Sequence, residues 1–324
     1  MSLAVLSPEQ IQAKLLEKKY PAQETYYAMY STWWGGVVKN PSLMMVPIDD
    51  HLVHRGDGVF EAIKVVDGRV FLIDEHLARL AKSAELLSLA LPMSIAEIKR
   101  TCLELSAISG QQNLILRLYI SRGPGGFTTN PYESVSSQMY LVATTLKPMP
   151  AEKYEVGVAC GKSEIPPKDP WFARIKSCNY LQNVLMKKES VDRKLDFTVS
   201  FDAQGNLTES STENIVILDK NGILVRPTLN QILKGTTMMR SFELAEALVK
   251  SGDIKAIEER NISEQDIYAA KEVMMIGTTL DVLPVSSFEG KKIGPGIAGP
   301  VAKKLLALLK EDIKKGPTST AVPY

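Results

Sequence analysis

Histidine is scarce in this chain: 324 residues hold 3, namely His51, His54 and His76, all in one short stretch. A zincin-type His-Glu-x-x-His site is therefore excluded, and a multi-histidine metal centre is not expected. Cysteine is equally sparse, with 3 residues, Cys102, Cys160 and Cys178, an odd number without a Cys-x-x-Cys pair. That rules out a disulfide framework or a zinc ribbon and fits a reducing compartment. No charge of one sign dominates: 38 Lys and Arg face 37 Asp and Glu, for a formal net charge of +1. A protein that tracks a nucleic-acid backbone carries a basic excess, so no nucleic-acid partner is expected. No apolar run approaches the roughly 18 residues that span a bilayer. The N-terminal MSLAVLSPEQ lacks a basic stretch followed by an apolar core, so we expect a cytoplasmic protein without a membrane partner.

What is present is ordinary globular chain, 45% hydrophobic and 23% charged, long enough for about two domains at roughly 150 residues each. Residues 8–19 read as a short amphipathic helix, and the stretches around 27–38 and 44–47 as strands. Two β-rich runs flank Asp67-Gly68, a hairpin signal because that pair tolerates positive φ. Asp74 is expected to cap the next helix, whose apolar stripe is Leu77, Leu80, Ala84 and Leu87. Ser94 and Glu97 form a capping box for a second helix, with Ile95, Ile98, Cys102 and Leu105 on one face. Strands are expected at 114–121 and 138–146.

The segment KPMPAEKY, 147–154, separates two patterned halves. We read 1–150 as an N-terminal α/β domain, with 1–30 as an extension, and 151–324 as a C-terminal domain. The second half opens with an expected strand at 155–160. A helix follows Asn179, and another, opened by Gly235-Thr236-Thr237, buries Met238, Phe242, Ala245 and Val249. Ser263 caps a further helix, and the last starts at Pro300 and ends at Gly316. Strands and helices mix without strict βαβ alternation, which predicts an α+β or irregular α/β class.

Several motifs are weak. Cys160-Gly161-Lys162-Ser163 lacks the first glycine of a phosphate loop and reads as a turn. RGPGGF, 122–127, reads as a loop over a pocket. His51 and His54 follow Asp49 and Asp50 but read as loop residues, and Cys178 as a small buried side chain. Lys176 is different. It ends an apolar segment just before a helix, where partial desolvation turns an ammonium into a nucleophilic amine. Glu209 lies among small hydroxyl residues just before a strand. Gly235-Thr236-Thr237 offers free N–H groups, two hydroxyls and the positive end of a helix to a phosphate. Gly277-Thr278-Thr279 repeats that chemistry at the end of an apolar strand, and Arg79 is a candidate phosphate clamp. One lysine, one acid and two phosphate loops are what a pyridoxal phosphate site requires.

These motifs, RGDGVFE (55–61), EHLARL (75–80), IKSCNYLQNVL (175–185), TESSTENIV (208–216), LKGTT (233–237) and IGTTLDVLPV (276–285), occur in order along nearly the whole chain. The sequence thereby resembles the class IV, fold type IV, pyridoxal-phosphate aminotransferases, a group that includes branched-chain and D-amino acid aminotransferases and 4-amino-4-deoxychorismate lyase. The likeness is nearest the plant plastid-type D-amino acid branch, from DDHLVHRG to the C-terminal GPTSTAVPY. The resemblance implies a two-domain fold with pyridoxal 5'-phosphate at the domain junction and a homodimer whose loops complete the pocket. It implies Lys176 as the residue that carries the cofactor covalently and Glu209 as partner of the ring nitrogen. Arg79, Thr237 and Thr279 would hold the phosphate with Gly235, Thr236 and Thr278 beside them. Tyr180 would hydrogen-bond the ring 3-hydroxyl, and Phe60 would line the pocket. The substrates implied are an amino acid, a D-amino acid such as D-alanine first, and a 2-oxo acid. Aminodeoxychorismate cleavage and branched-chain transamination are the alternatives. The loop after 114–121 lacks the Arg-x-His pair of bacterial D-amino acid enzymes, and Asn179-Tyr180 stands where many of the lyases have Asn-Arg. Arg122 and Arg55 are therefore the candidates for the substrate carboxylate.

Overall fold

The structure is a computed structural model that describes residues 2–324. Helix α1 (Pro8–Glu17) starts at a Ser7–Gln10 capping box and buries no residue. The first sheet begins with β1 (Tyr26–Ser31) and β2 (Gly36–Val38), so the N-terminal extension ends before residue 26 rather than at 30. No strand forms at 44–47: a 3-10 turn over Pro41–Leu43 leads into irregular chain. Asp50 then caps the short helix α2 (His51–Arg55), which gives both histidines a helical setting in place of a loop.

Strands β3 (Gly58–Val66) and β4 (Arg69–Phe71) form the expected hairpin, with Asp67 and Gly68 both at positive φ, 49° and 70°. Helix α3 (Ile73–Leu86) starts two residues earlier than an Asp74 cap would place it. The chain turns straight from β4 through Leu72, at φ 55°, and Asp74 instead meets Lys99 at 2.7 Å. Helix α4 (Ile95–Ser109) has its predicted capping box. With β5 (Leu114–Ser121), β6 (Gln138–Thr145) and a strand from the C-terminus, these form a seven-stranded antiparallel sheet. Its core is built by Leu77, Leu80 and Ala84 of α3, Ile98, Cys102 and Leu105 of α4, and the inward rows of β3, β5 and β6.

The strand expected at 155–160 starts only at Val158, because residues 151–156 are a helix, α5. Gly157, at φ 81°, ends it, and a Cβ there would lie 2.8 Å from Ser286 Cβ. Strand β7 (Val158–Lys162) follows and absorbs the expected Gly161-Lys162 turn. After the single-turn helix α6 (Pro170–Ala173), α7 (Leu181–Asp192) leads to β8 (Phe197–Phe201), β9 (Leu207–Ser210), β10 (Asn214–Leu218) and β11 (Ile223–Arg226). Helix α8 (Thr236–Lys250), β12 (Ala256–Glu259), α9 (Glu264–Ala269), β13 (Glu272–Gly277) and β14 (Asp281–Phe288) complete the second sheet, with β15 (Lys291–Lys292) on its rim. β9 pairs with both β8 and β10, so six strands, β10-β13-β14-β7-β8-β9, close on themselves. That barrel is filled by Cys160, Val199, Ile215, Ile217, Met275 and Phe288 among others.

A third core sits where the two sheets meet. Phe71 and Leu72 of the first sheet pack with α8, with α10 (Pro300–Lys315), and with Val216 and Met274 of the barrel. In α8 the buried stripe runs Met238, Phe242, Ala245, Leu248, so Leu248 takes the place expected for Val249. The C-terminal strand β16 (Ser319–Ala321) returns to the first sheet and pairs with β4. Buried Lys64 of β3 forms an ion pair with half-buried Asp281 of β14, a second tie between the halves. The class is α+β. No helix among the described residues is long and apolar enough to cross a membrane.

Candidate active site

Lys176 is placed by backbone hydrogen bonds to the first sheet. Its carbonyl accepts from Phe60 N–H at 2.9 Å, its own N–H donates to Ser83 Oγ at 3.2 Å, and Cys178 N–H donates to Gly58 O at 2.8 Å. A segment of the second half is thus stitched to the end of β3, which needs a glycine at 58: a Cβ there would lie 2.7 Å from the carbonyl oxygen of Ile120. The Lys176 ammonium stands 4.5 Å from the centre of the Phe60 ring, and Phe60 meets Tyr180 edge-on at 5.0 Å. Burial, with Arg79 adding to it, lowers the Lys176 pKa to about 8. A substantial fraction is therefore neutral amine near pH 8, as a nucleophile needs.

Glu209 sits on the seam of the barrel, paired across it with Asn214. Burial raises its carboxyl to about 7 against the opposing pull of the Leu233 N–H at 3.1 Å and of Lys168, Lys176 and Arg79. Such a carboxyl is short of a cationic partner, as an acid that waits for a protonated ring nitrogen should be. Lys176, Tyr180, Glu209, Thr212 and Leu233 line one cavity, which continues past Asn214, Gly235, Thr236, Thr237 and Thr278 to Arg79.

The far end of that cavity is the N-terminus of α8. Gly235 occupies the N-cap with no side-chain cap. A Cβ at Gly235 would lie 1.9 Å from Asn214 Oδ1, so glycine is demanded by packing. Thr237 is buried and its Oγ1 has no hydrogen-bond partner among the described residues. An orphaned hydroxyl beside uncapped helix N–H groups fits a phosphate.

Arg79 does reach this end, with its guanidinium bound to Glu61. Its Nε and Nη2 donate to the two Glu61 oxygens at 2.8 and 2.6 Å, and Nη1 donates to Lys234 O at 3.0 Å. His76 Nδ1 lies 2.6 Å from Glu61 Oε2, and its Nε2 lies 3.2 Å from Thr236 Oγ1. Arg79 and His76 hold the fully buried Glu61 carboxyl down at about 2, while burial lowers the His76 pKa. This Glu61–His76–Arg79 group escaped the sequence reading. A signal was present: Glu61 stands between Val59 and Ile63 in the inward row of β3, and His76 lies in the apolar stripe of α3. A charge in a core row calls for a buried partner.

Three expected residues fall elsewhere. Thr279 is exposed and outside the cavity, because the chain turns out toward Asp281; Thr278 is the residue that lines it. Arg122 is committed to Asp57 by two bonds of 2.9 and 3.0 Å and to the carbonyls of Leu87 and Ser88, so it holds loops together and presents no free fork to a carboxylate. Arg55 is directed at the carbonyls of His54 and Phe127. Neither guanidinium lines the Lys176 cavity.

A lysine with a lowered pKa, an acid with no direct ion pair among the described residues and a phosphate cradle occupy one cavity, and comparison with known proteins agrees with that chemistry. Residues 58–288 match the family described as amino-transferase class IV, and the chain belongs to that family. It is 35% identical over 93% of its length to a chloroplastic D-amino-acid transaminase of Arabidopsis thaliana, covering 81% of that protein. It is 31% identical to a D-alanine aminotransferase of Bacillus licheniformis, with 86% of this chain and 96% of that one covered. Its fold superposes with a TM-score of 0.85, at 23% identity, on a branched-chain amino acid aminotransferase of T.th, solved with pyridoxamine 5'-phosphate, covering 92% of this chain and 99% of that one. Membership of the class IV amino-transferase family carries with it pyridoxal 5'-phosphate as cofactor and an amino acid and a 2-oxo acid as substrates.

Proposed function

We propose that this aminotransferase acts on D-amino acids, with D-alanine as donor and a 2-oxo acid as acceptor, and that it works as a homodimer. The observation that carries the substrate reading is the likeness to two D-amino acid enzymes, each spread over more than four-fifths of the chain. Bound pyridoxal phosphate supplies an electrophilic carbon for the amino group and a ring that accepts electrons from the substrate Cα. The chain's own residues do the rest. Lys176, as free amine, takes the proton from Cα and returns it on the other side of the transfer. Glu209 holds a proton at the ring nitrogen. Thr237, Thr236, Thr278 and the first N–H groups of α8 bind the phosphate, with Arg79 behind them. Phe60 and Tyr180 wall off water on the Lys176 side.

A dimer is supported by large apolar side chains left exposed, among them Trp33, Trp34, Phe127 and Tyr132. A reducing location such as the cytoplasm is supported by three cysteines that are all free. The deciding assay supplies D-alanine, L-leucine, L-isoleucine and aminodeoxychorismate separately and follows oxo acid or p-aminobenzoate. D-Alanine should turn over fastest. Faster L-leucine or L-isoleucine turnover would overturn the D-substrate reading, and faster p-aminobenzoate release would replace it with a lyase. Sedimentation of a fully active monomer would overturn the dimer.

A further inference from the structure

Lys168 is a cation of the cavity that the catalytic reading leaves without a task. It lies in Pro166-Pro167-Lys168-Asp169-Pro170, between β7 and α6, where three prolines restrict the backbone and present one residue in a fixed direction. The neighbouring Asp169 is spent on capping α6, its Oδ1 accepting from Trp171 N–H at 2.9 Å. Lys168 itself makes no hydrogen bond or salt bridge among the described residues. It is half-buried, with Nζ 4.6 Å from the centre of the Tyr180 ring, in the same wall as Lys176, Tyr180 and Glu209. An ammonium held over an aromatic face beside a half-buried carboxyl, with no protein hydrogen-bond partner among the described residues, is placed for its charge.

We propose that Lys168 is a positioning residue for the ring end of the bound cofactor, its ammonium keeping Glu209 a carboxylate and holding negative charge on the Tyr180 side. The proposal rests on the cofactor reading above, not on the identity of the substrate. The charged groups that face Glu209 are Lys168, Lys176 and Arg79, and of these Lys168 pulls its pKa down most. Those that face Tyr180 are Lys168 itself, Glu209, Glu213, Arg79 and Glu61, and those that face Lys176 are Arg79, Glu61, Glu209 and Lys168. Burial in turn lowers the Lys168 pKa and Glu209 raises it. Once Lys176 is bonded to the cofactor, Lys168 is the ammonium left on this wall.

The test is a pH titration of the visible absorbance of the cofactor-loaded enzyme, read on Lys168→Met, Lys168→Gln and Lys168→Arg beside the native protein. Removing a positive charge stabilises every protonated form near it. The two neutral variants should therefore shift the midpoint upward by about one pH unit, the size of effect that loss of one nearby charge produces. Lys168→Arg should restore it, and KM for the amino donor should change less than about twofold in all three. Folded neutral variants with an unmoved midpoint overturn the proposal. So does a tenfold rise in KM with an unmoved midpoint, which makes Lys168 a substrate-carboxylate group. If D-alanine proves not to be the donor, the titration is unaffected. If native protein binds no pyridoxal phosphate, both readings fall.

Discussion

Arg79 grips Glu61 with two hydrogen bonds of 2.8 and 2.6 Å and uses its remaining nitrogen to reach the Lys234 carbonyl, two residues ahead of the α8 N-terminus. The phosphate end of the cavity is thus fixed from both halves of the chain by one guanidinium.

Glu61→Gln should therefore cost more than a surface substitution. It leaves Arg79 and His76 facing a neutral amide, and breaking a buried pair costs about 3–5 kcal/mol. The Glu61 pKa is lowered from 4.5 to about 2, so its stabilising part is present above pH 4.5 and is lost as pH falls toward 2. Chemical denaturation from pH 7 to pH 3 should show a smaller acid-induced loss in Glu61→Gln than in the native protein. Equal losses would mean that Glu61 carries no such stabilisation.

For Lys176 the sign runs the other way. Its folded pKa is lowered from 10.5 to about 8, so the unfolded chain binds more protons between those values and stability rises with pH there. Cofactor-free Lys176→Met should be more stable than native protein at pH 7, by about 1–3 kcal/mol, with the gain gone above about pH 10.5. Turnover should vanish in the same variant, and borohydride should no longer fix the cofactor to the peptide around residue 176. Fixation at another lysine would reassign the role.

Glu209→Gln should keep the cofactor bound yet slow turnover at least tenfold, about 1.4 kcal/mol in the barrier, because an amide does not balance the ring-nitrogen charge. Single-turnover kinetics on D-alanine checks this. An unchanged rate of proton transfer from Cα would remove Glu209 from the role.

Gly235→Ala should displace Asn214, whose side-chain oxygen stands 1.9 Å from the new methyl. A cost of about 1–3 kcal/mol and weaker cofactor retention on dialysis are expected. The double variant Gly235→Ala with Asn214→Ala should recover cofactor retention relative to the single one. No recovery would mean that the strain lies elsewhere.

Arg122→Ala should lower the melting temperature, since the Asp57 pair and two carbonyl contacts go with it, while KM for D-alanine stays within about twofold. A large KM rise at unchanged melting temperature would return Arg122 to the substrate.

Features set by nearby residues were legible in the sequence. The Asp67-Gly68 hairpin, the Ser94 capping box, the glycine that opens α8 and the Pro300 start of α10 each depend on a few adjacent residues. Lys176, Glu209 and the Gly-Thr-Thr loop were legible because their surroundings are unusual locally. What escaped depends on distant partners. Asp74 is a good cap by type, but buried Leu72 sets where the helix starts. Thr278 and Thr279 are chemically alike, and only the turn before β14 decides which faces inward. Arg122 looked free because Asp57 lies 65 residues away. Lys168 stands in a proline-rich segment, but its task comes from Tyr180 and Glu209, 12 and 41 residues further on.

The return of β16 to β4 bears on how the molecule is made. Six strands of the first sheet lie within residues 26–145, but the seventh, β16, is synthesised only after the whole second sheet. Until then β4 offers an open edge, a template for pairing with another chain. The nascent first half is therefore the vulnerable species, and a chain stopped before residue 319 would retain that vulnerability after release.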